Sequence, residues 1–157
     1  MNIELWTIGK ESNKHLESAT NLYINRLNHY TRFQLLTIDN SKINKNLPLP
    51  QLLEKEALLV LQKLNDKDTL VCLDDKGKAF SSVQFSEKLN QLLSHSTTKI
   101  VFLIGGSYGI SETLKKKSNF IFSLSSLTFP HQLVRLIFCE QLYRAFSILK
   151  NEKYHHE

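Results

Sequence analysis

Only five glycines occur in the 157 residues, and three of them fall in Ile104-Gly105-Gly106-Ser107-Tyr108-Gly109, directly after the apolar run Lys99 to Ile104. Glycine placed there lets the backbone approach a ligand closely or take φ > 0, and open α/β sheets bind ligands beyond the carboxyl ends of their strands. The spacing G-G-x-x-G matches neither the dinucleotide fingerprint nor the phosphate loop, and it fits a tight strand-to-helix turn as well as a ligand loop. Two further segments leave strand ends in the same way, Leu73-Asp74-Asp75-Lys76-Gly77-Lys78 and Leu124-Ser125-Ser126-Leu127-Thr128-Phe129-Pro130-His131. Three such loops can line one pocket. The last sets apolar and small hydroxyl residues ahead of a helix-starting proline, which suits a backbone-lined slot for a flat, uncharged ring such as adenine. As a plain connection, its Ser and Thr side chains would instead cap the helix.

Other groups that carry chemistry are concentrated toward the C-terminus. Arg135 and Arg144 stand nine apart on an apolar final helix, where a buried guanidinium needs an anionic or carbonyl partner. The tail Asn151-Glu152-Lys153-Tyr154-His155-His156-Glu157 is rich in aromatic and imidazole groups. Paired histidines also suit a metal, but no Cys or carboxylate cluster lies nearby at ligand spacing, so no metal site is expected. His131 reads as a first-turn helix residue and Lys115-Lys116-Lys117 as a solvated helix face.

The elements that must position these groups follow from periodicity. Alternation from Asn2 to Gly9 predicts a first strand, and Leu16, Ala19, Tyr23, Leu27 and Tyr30 mark one face of a helix starting near Ser12. A second strand is predicted over Phe33 to Ile38, and the stripe Leu53, Ala57, Val60 and Leu64 predicts a helix begun by Pro50. Thr69 to Leu73, Lys99 to Ile104 and Phe120 to Leu124 complete five strands. Phe85, Leu89, Leu92 and Leu93 mark a helix, Ser111 to Lys117 a short one, and Pro130 to Leu149 the last. Strands that alternate with helices and lack two-residue hairpin turns predict an α/β fold, a mainly parallel sheet with flanking helices. The final helix is apolar around more than one stripe, which calls for two partners: the chain's own sheet and either a second copy, with Phe138 and Leu142 in that contact, or the interior of a monomer into which the helix is sunk.

Length and composition bound what this architecture can serve. Residues 1–157 make one domain, and 41% hydrophobic with 22% charged residues supports a packed core. Neither an apolar run of membrane-spanning length nor a basic n-region at the start is present, which predicts a chain that is neither secreted nor membrane-bound. Cys72 and Cys139 lie in apolar stretches without a CxxC partner, as expected of a reducing, cytoplasmic setting. The net charge of +5 is uneven: residues 1–78 carry +1 and residues 79–157 carry +4, so a polyanion would meet the second half.

Taken in order, Leu103-Ile104-Gly105-Gly106-Ser107-Tyr108-Gly109, Leu124 to Arg135, Glu140-Gln141-Leu142-Tyr143-Arg144-Ala145-Phe146 and the closing Tyr154-His155-His156 resemble the RlmH family. These are small SPOUT-class RNA methyltransferases, and the likeness extends from Ile8-Gly9-Lys10 to the tail. It implies methylation of N3 of a pseudouridine in 23S ribosomal RNA, in the helix 69 region of the large subunit, with S-adenosyl-L-methionine as cofactor. It implies a C-terminal trefoil knot, which periodicity does not reveal because chains ordinarily do not thread loops. A homodimer built on the last helix is also implied, with one subunit's tail completing the other's pocket.

By the same resemblance the cofactor falls to Leu73, Gly105, Leu124, Ser125, Ser126, Leu127, Thr128 and Phe129. Loss of the N3 proton calls for a base or a cation. The groups at hand are His155 as base or orienter, Tyr154 as stacking or hydrogen-bonding partner, and Arg144 or Arg135 as anchor for RNA. Two other readings make different demands: a small-ligand-binding α/β domain would bind cofactor without transferring methyl, and a non-catalytic ribosome-associated assembly factor would bind ribosomes without cofactor.

Overall fold

The computed structural model describes residues 2–10, 12–95 and 99–156. Five strands alternate with five helices: β1 (Asn2–Ile8), α1 (Lys14–Leu27), β2 (Arg32–Ile38), α2 (Leu49–Leu61), β3 (Thr69–Ala79), α3 (Ser82–Leu93), β4 (Lys99–Ile104), α4 (Glu112–Lys117), β5 (Phe120–Ser123) and α5 (His131–Leu149). The strands form one sheet in the order β2-β1-β4-β3-β5, and every pairing is parallel. The three segments singled out above therefore lie together toward the carboxyl end of the sheet, where β4, β3 and β5 are side by side.

Period-two alternation decides which helices cover which face. Ile3 and Leu5 of β1, Val71 and Leu73 of β3, and Ile100, Phe102 and Ile104 of β4 join Leu27 of α1, Phe85 and Leu89 of α3 and Phe138 and Leu142 of α5 in one core. The intervening Trp6, Ile8, Leu70, Cys72, Val101 and Leu103 meet Ala57 and Val60 of α2 and Leu114 of α4 on the other side. Two helix starts follow from local chemistry. Asn13, not Ser12, caps α1 by accepting from the backbone of His15 and Leu16, and Ser81 and Gln84 form a capping box on α3.

Three expectations need correction. β3 does not end at Leu73: it continues to Ala79 against β5, with the register jumping from Leu73 to Lys78. The polar residues 74–78 read as a loop because edge pairing and a bulge, rather than burial, hold them in place. A Cβ on Gly77 would stand 2.8 Å from the Ile121 backbone, so only glycine permits that approach. Helix α2 stops at Leu61, before Leu64, and its buried face keeps Ala57 and Val60 of the expected stripe but adds Leu52 and Glu56 in place of Leu53 and Leu64.

The third concerns α5. Much of its apolar surface is satisfied inside the chain, because α1 and α3 flank it while the sheet lies beneath. Phe138 and Leu142 are fully buried there, and Phe138 packs 4.6 Å from Phe102 between ring centroids. They are core residues of the chain, whereas Leu133, Leu136 and Ile137 in the first turns of α5 are only partly buried. Phe138→Ala is accordingly expected to cost about 3–5 kcal/mol of folding stability. A denaturant titration that shifts by less than a third of that would show the ring to be dispensable.

Candidate active site

The glycine loop after β4 is shaped by its own backbone. The Gly109 amide donates to Gly106 O at 3.1 Å, and Gly109 takes φ +90°, which L side chains rarely adopt. A Cβ on Gly105 would fall 2.4 Å from Gly109 O, so the turn closes only over a bare α-carbon. Ser111 then caps α4 by accepting from Leu114 N at 3.2 Å.

The loop after β5 is stitched to the end of β3. Ser123 Oγ lies 3.1 Å from Asp75 O and 3.0 Å from Ser125 O, within hydrogen-bonding reach of both carbonyls. The Leu127 amide donates to Ser125 Oγ at 3.1 Å, which folds the loop back and leaves Leu127 67% exposed at its tip. Pro130 then leads into α5. Asp74 is tied to α4 by Lys115 at 3.0 Å. Burial would raise the Asp74 carboxyl, but the Lys76 amide and the Lys115 ammonium outweigh it and hold the group below the usual carboxylate range.

These segments enclose a pocket of about 190 Å³. Leu73, Gly105, Leu124, Ser125, Leu127, Thr128 and Phe129 line it, so seven of the eight residues assigned to the cofactor by resemblance are brought together. Ser126 is not among the lining residues. Asp74, Gly106, Ser107 and His131 also line the wall. His131, set aside in sequence as a first-turn residue, thus faces the pocket.

The tail sits elsewhere in the same chain. The Tyr154 hydroxyl bonds to Glu140 Oε1 at 3.1 Å and lies 3.3 Å from the Tyr23 hydroxyl, and its ring meets Tyr143 edge-on at 4.7 Å. Arg144 covers the Tyr154 ring at 4.7 Å, pairs with Glu140 at 2.5 Å and reaches His155 Nδ1 at 3.4 Å. Tyr30 binds Glu152. Burial, with Glu140 and Tyr23 beside it, pushes the Tyr154 phenol well above its ordinary value. It is therefore a neutral hydrogen-bonding group at physiological pH. Arg144 of α5 and the tail residues Tyr154 and His155 form one cluster packed against Tyr23 of α1, whereas Arg135 stands apart from it near the start of α5, in a cleft with Lys10 and His131. Neither tail residue lines the pocket of its own chain.

Among the described residues, no group of three or more His, Cys, Asp or Glu side chains is placed to hold a metal ion, and no helix is long and apolar enough to cross a membrane. The two cysteines are buried, and burial pushes their thiols up to about 11 for Cys72 and about 12 for Cys139. They are inert as nucleophiles.

Comparison with known proteins agrees with this architecture. A family profile described as "Predicted SPOUT methyltransferase" matches residues 1–155. Three curated relatives are named "Ribosomal RNA large subunit methyltransferase H". Those from Flavobacterium johnsoniae, Parabacteroides distasonis and Porphyromonas gingivalis are 50%, 47% and 40% identical, each over the whole of both chains. A solved structure of a "probable methylase family protein" from Haemophilus influenzae superposes with a TM-score of 0.60 at 12% identity, over 99% of this chain and 70% of that one, which is a likeness of fold. A sheet in which the bulged segment of β3 and the loops after β4 and β5 close around one pocket, matched by that profile along nearly the whole chain, settles the kinship: the chain belongs to the SPOUT methyltransferase family.

Proposed function

We propose that this SPOUT methyltransferase transfers a methyl group from S-adenosyl-L-methionine to N3 of a pseudouridine in 23S ribosomal RNA, in the helix 69 region. The observation that carries the reading is the convergence of three loops on one glycine-floored pocket in a chain 40–50% identical to rRNA large subunit methyltransferases.

The lining fits the cofactor's chemistry. Leu73, Leu124, Leu127 and Phe129 offer apolar contact to a flat ring, while the bare Gly105 and the carbonyl-rich Ser125 turn offer backbone groups to its edge. When bound, S-adenosylmethionine supplies an electrophilic methyl on sulfur. The chain's own residues must then hold the target base in line with it and accept the N3 proton. His155 serves as base or orienter, Tyr154 as a neutral partner to the base, and Arg144 and Arg135 as anchors for the polyanion.

Distance within the chain supports a second copy. At 1.5 Å rise per residue, Glu140 and Arg144 lie about 14 and 20 Å along α5 from His131, so the tail cluster is far from its own pocket. A homodimer joined through α5 would bring one subunit's tail to the other's pocket, and the C-terminal segment would be held by a trefoil knot. The setting is the cytoplasm, where the ribosome is the source of the RNA.

Mass spectrometry of 23S rRNA from a strain lacking this gene tests the reading. The expected result is one missing methyl on a pseudouridine, restored by the gene. An unchanged nucleoside profile alongside ribosome binding would favour a non-catalytic assembly factor instead.

A further inference from the structure

A second cleft, of about 310 Å³, opens across the glycine loop from the pocket and shares Gly106, Ser107 and His131 with it. Lys10, Lys45 and Arg135 give its walls positive charge, and Tyr108, 67% exposed, stands at its mouth. Cations and an open aromatic ring beside a methyl-donor pocket suit a nucleotide with its phosphates and base.

One lining residue does not suit phosphate. Glu56 lies on the apolar face of α2, only 6% exposed, with Leu52 one turn before it and Val60 one turn after. Its Oε1 accepts from Asn40 Nδ2 at 2.9 Å, which orients the carboxylate, and a Cβ on Gly106 would stand 3.1 Å from Oε1 and 3.3 Å from Oε2. The group therefore lies directly over the loop that separates the two spaces. A buried carboxylate is costly to keep, and an ionised one is acceptor-only. In a cleft otherwise built for a polyanion, its natural counterpart is an N–H on the base.

Pseudouridine differs from uridine in that respect alone among the donors of the ring. It is joined to ribose through carbon, so N1 keeps a hydrogen, whereas uridine has N1 in the glycosidic bond. With N3 occupied by methyl transfer, N1–H is the remaining ring donor. We infer that Glu56, oriented by Asn40, accepts the N1–H of the target pseudouridine and so sets the preference for pseudouridine over uridine. The inference rests on the reaction proposed above and names the residue that selects its substrate.

The test compares wild type with Glu56→Gln on ribosomes carrying either pseudouridine or uridine at the methylated position, with S-adenosylmethionine affinity measured by calorimetry. The expected result is a fall of about 10-fold in the kcat/KM ratio of pseudouridine to uridine, because the neutral amide oxygen of Gln accepts more weakly than a carboxylate. That fall should come from the pseudouridine reaction, with cofactor affinity kept. An unchanged ratio, or an equal loss on both substrates, would overturn the assignment, and so would a loss of cofactor affinity in a folded variant. Should Glu56→Gln fail to fold, Asn40→Ala, which removes the orienting donor and keeps the carboxylate, carries the same comparison. If wild type forms no N3-methylpseudouridine, both the proposed reaction and this inference fall; if it does and the ratio is indifferent to Glu56, only the inference falls.

Discussion

Removal of residues 154–157 is expected to lower methyl transfer by about 10²- to 10⁴-fold, the range of a lost acid–base group, while cofactor binding stays near wild type. The tail carries Tyr154 and His155, and neither lines the pocket where the β3 bulge and the loops after β4 and β5 converge. Its contacts are with Tyr23 on α1 and with Glu140, Tyr143 and Arg144, well down α5. Two copies joined through α5 would turn that distance into a composite site. Coexpression of the tail-deleted chain with a pocket-disabled chain, each separately tagged, should then restore activity in the purified mixed dimer, because one intact pocket meets one intact tail. At most one of its two sites can work. If each variant is dead and the verified mixed dimer is dead as well, the tail serves its own subunit.

The pocket-disabled partner is the second prediction. Gly105→Val is expected to remove detectable S-adenosylmethionine binding in calorimetry and to lower the unfolding midpoint as well. A Cβ there would lie 2.4 Å from Gly109 O, 2.6 Å from Gly109 C and 2.7 Å from Ile110 Cγ1. The first two are backbone atoms, which cannot rotate aside, so the turn must open and its amides leave the pocket wall. Gly106→Val should be milder, because the atoms it meets belong to the end of the Glu56 side chain. Gly109 has open space around a Cβ, yet its φ of +90° makes any side chain strained there. Full cofactor affinity in Gly105→Val would place the ligand elsewhere.

These predictions draw on parts of the protein that differ in how far they can be read from the chain alone. Strand and helix periods are local. Lys99 to Ile104 is a strand because five consecutive apolar residues bury both faces, and α5 begins after Pro130 because proline favours a helix start and cannot continue a preceding one. The glycine loop and the turn before Pro130 are marked by residue types whose backbone preferences hold in any context. The likeness of motifs to a known family then added cofactor and reaction.

Long-range packing decided the rest. Residues 74–78 belong to β3 only because β5 runs beside them and Gly77 admits the Ile121 backbone. Glu56 sits four residues from both Leu52 and Val60, a carboxylate within an apolar stripe. That was the signal available in sequence, but only its juxtaposition with Asn40 and Gly106 gives it a cleft to act in. His131 became a pocket residue when the strand order brought β4 beside both β1 and β3 and set α5 over them. The tail is positioned by Tyr23 of α1, 131 residues away in sequence. Period and turn chemistry are carried by neighbours in the chain, whereas the order of strands and the partners of a buried charge depend on residues that meet only after folding.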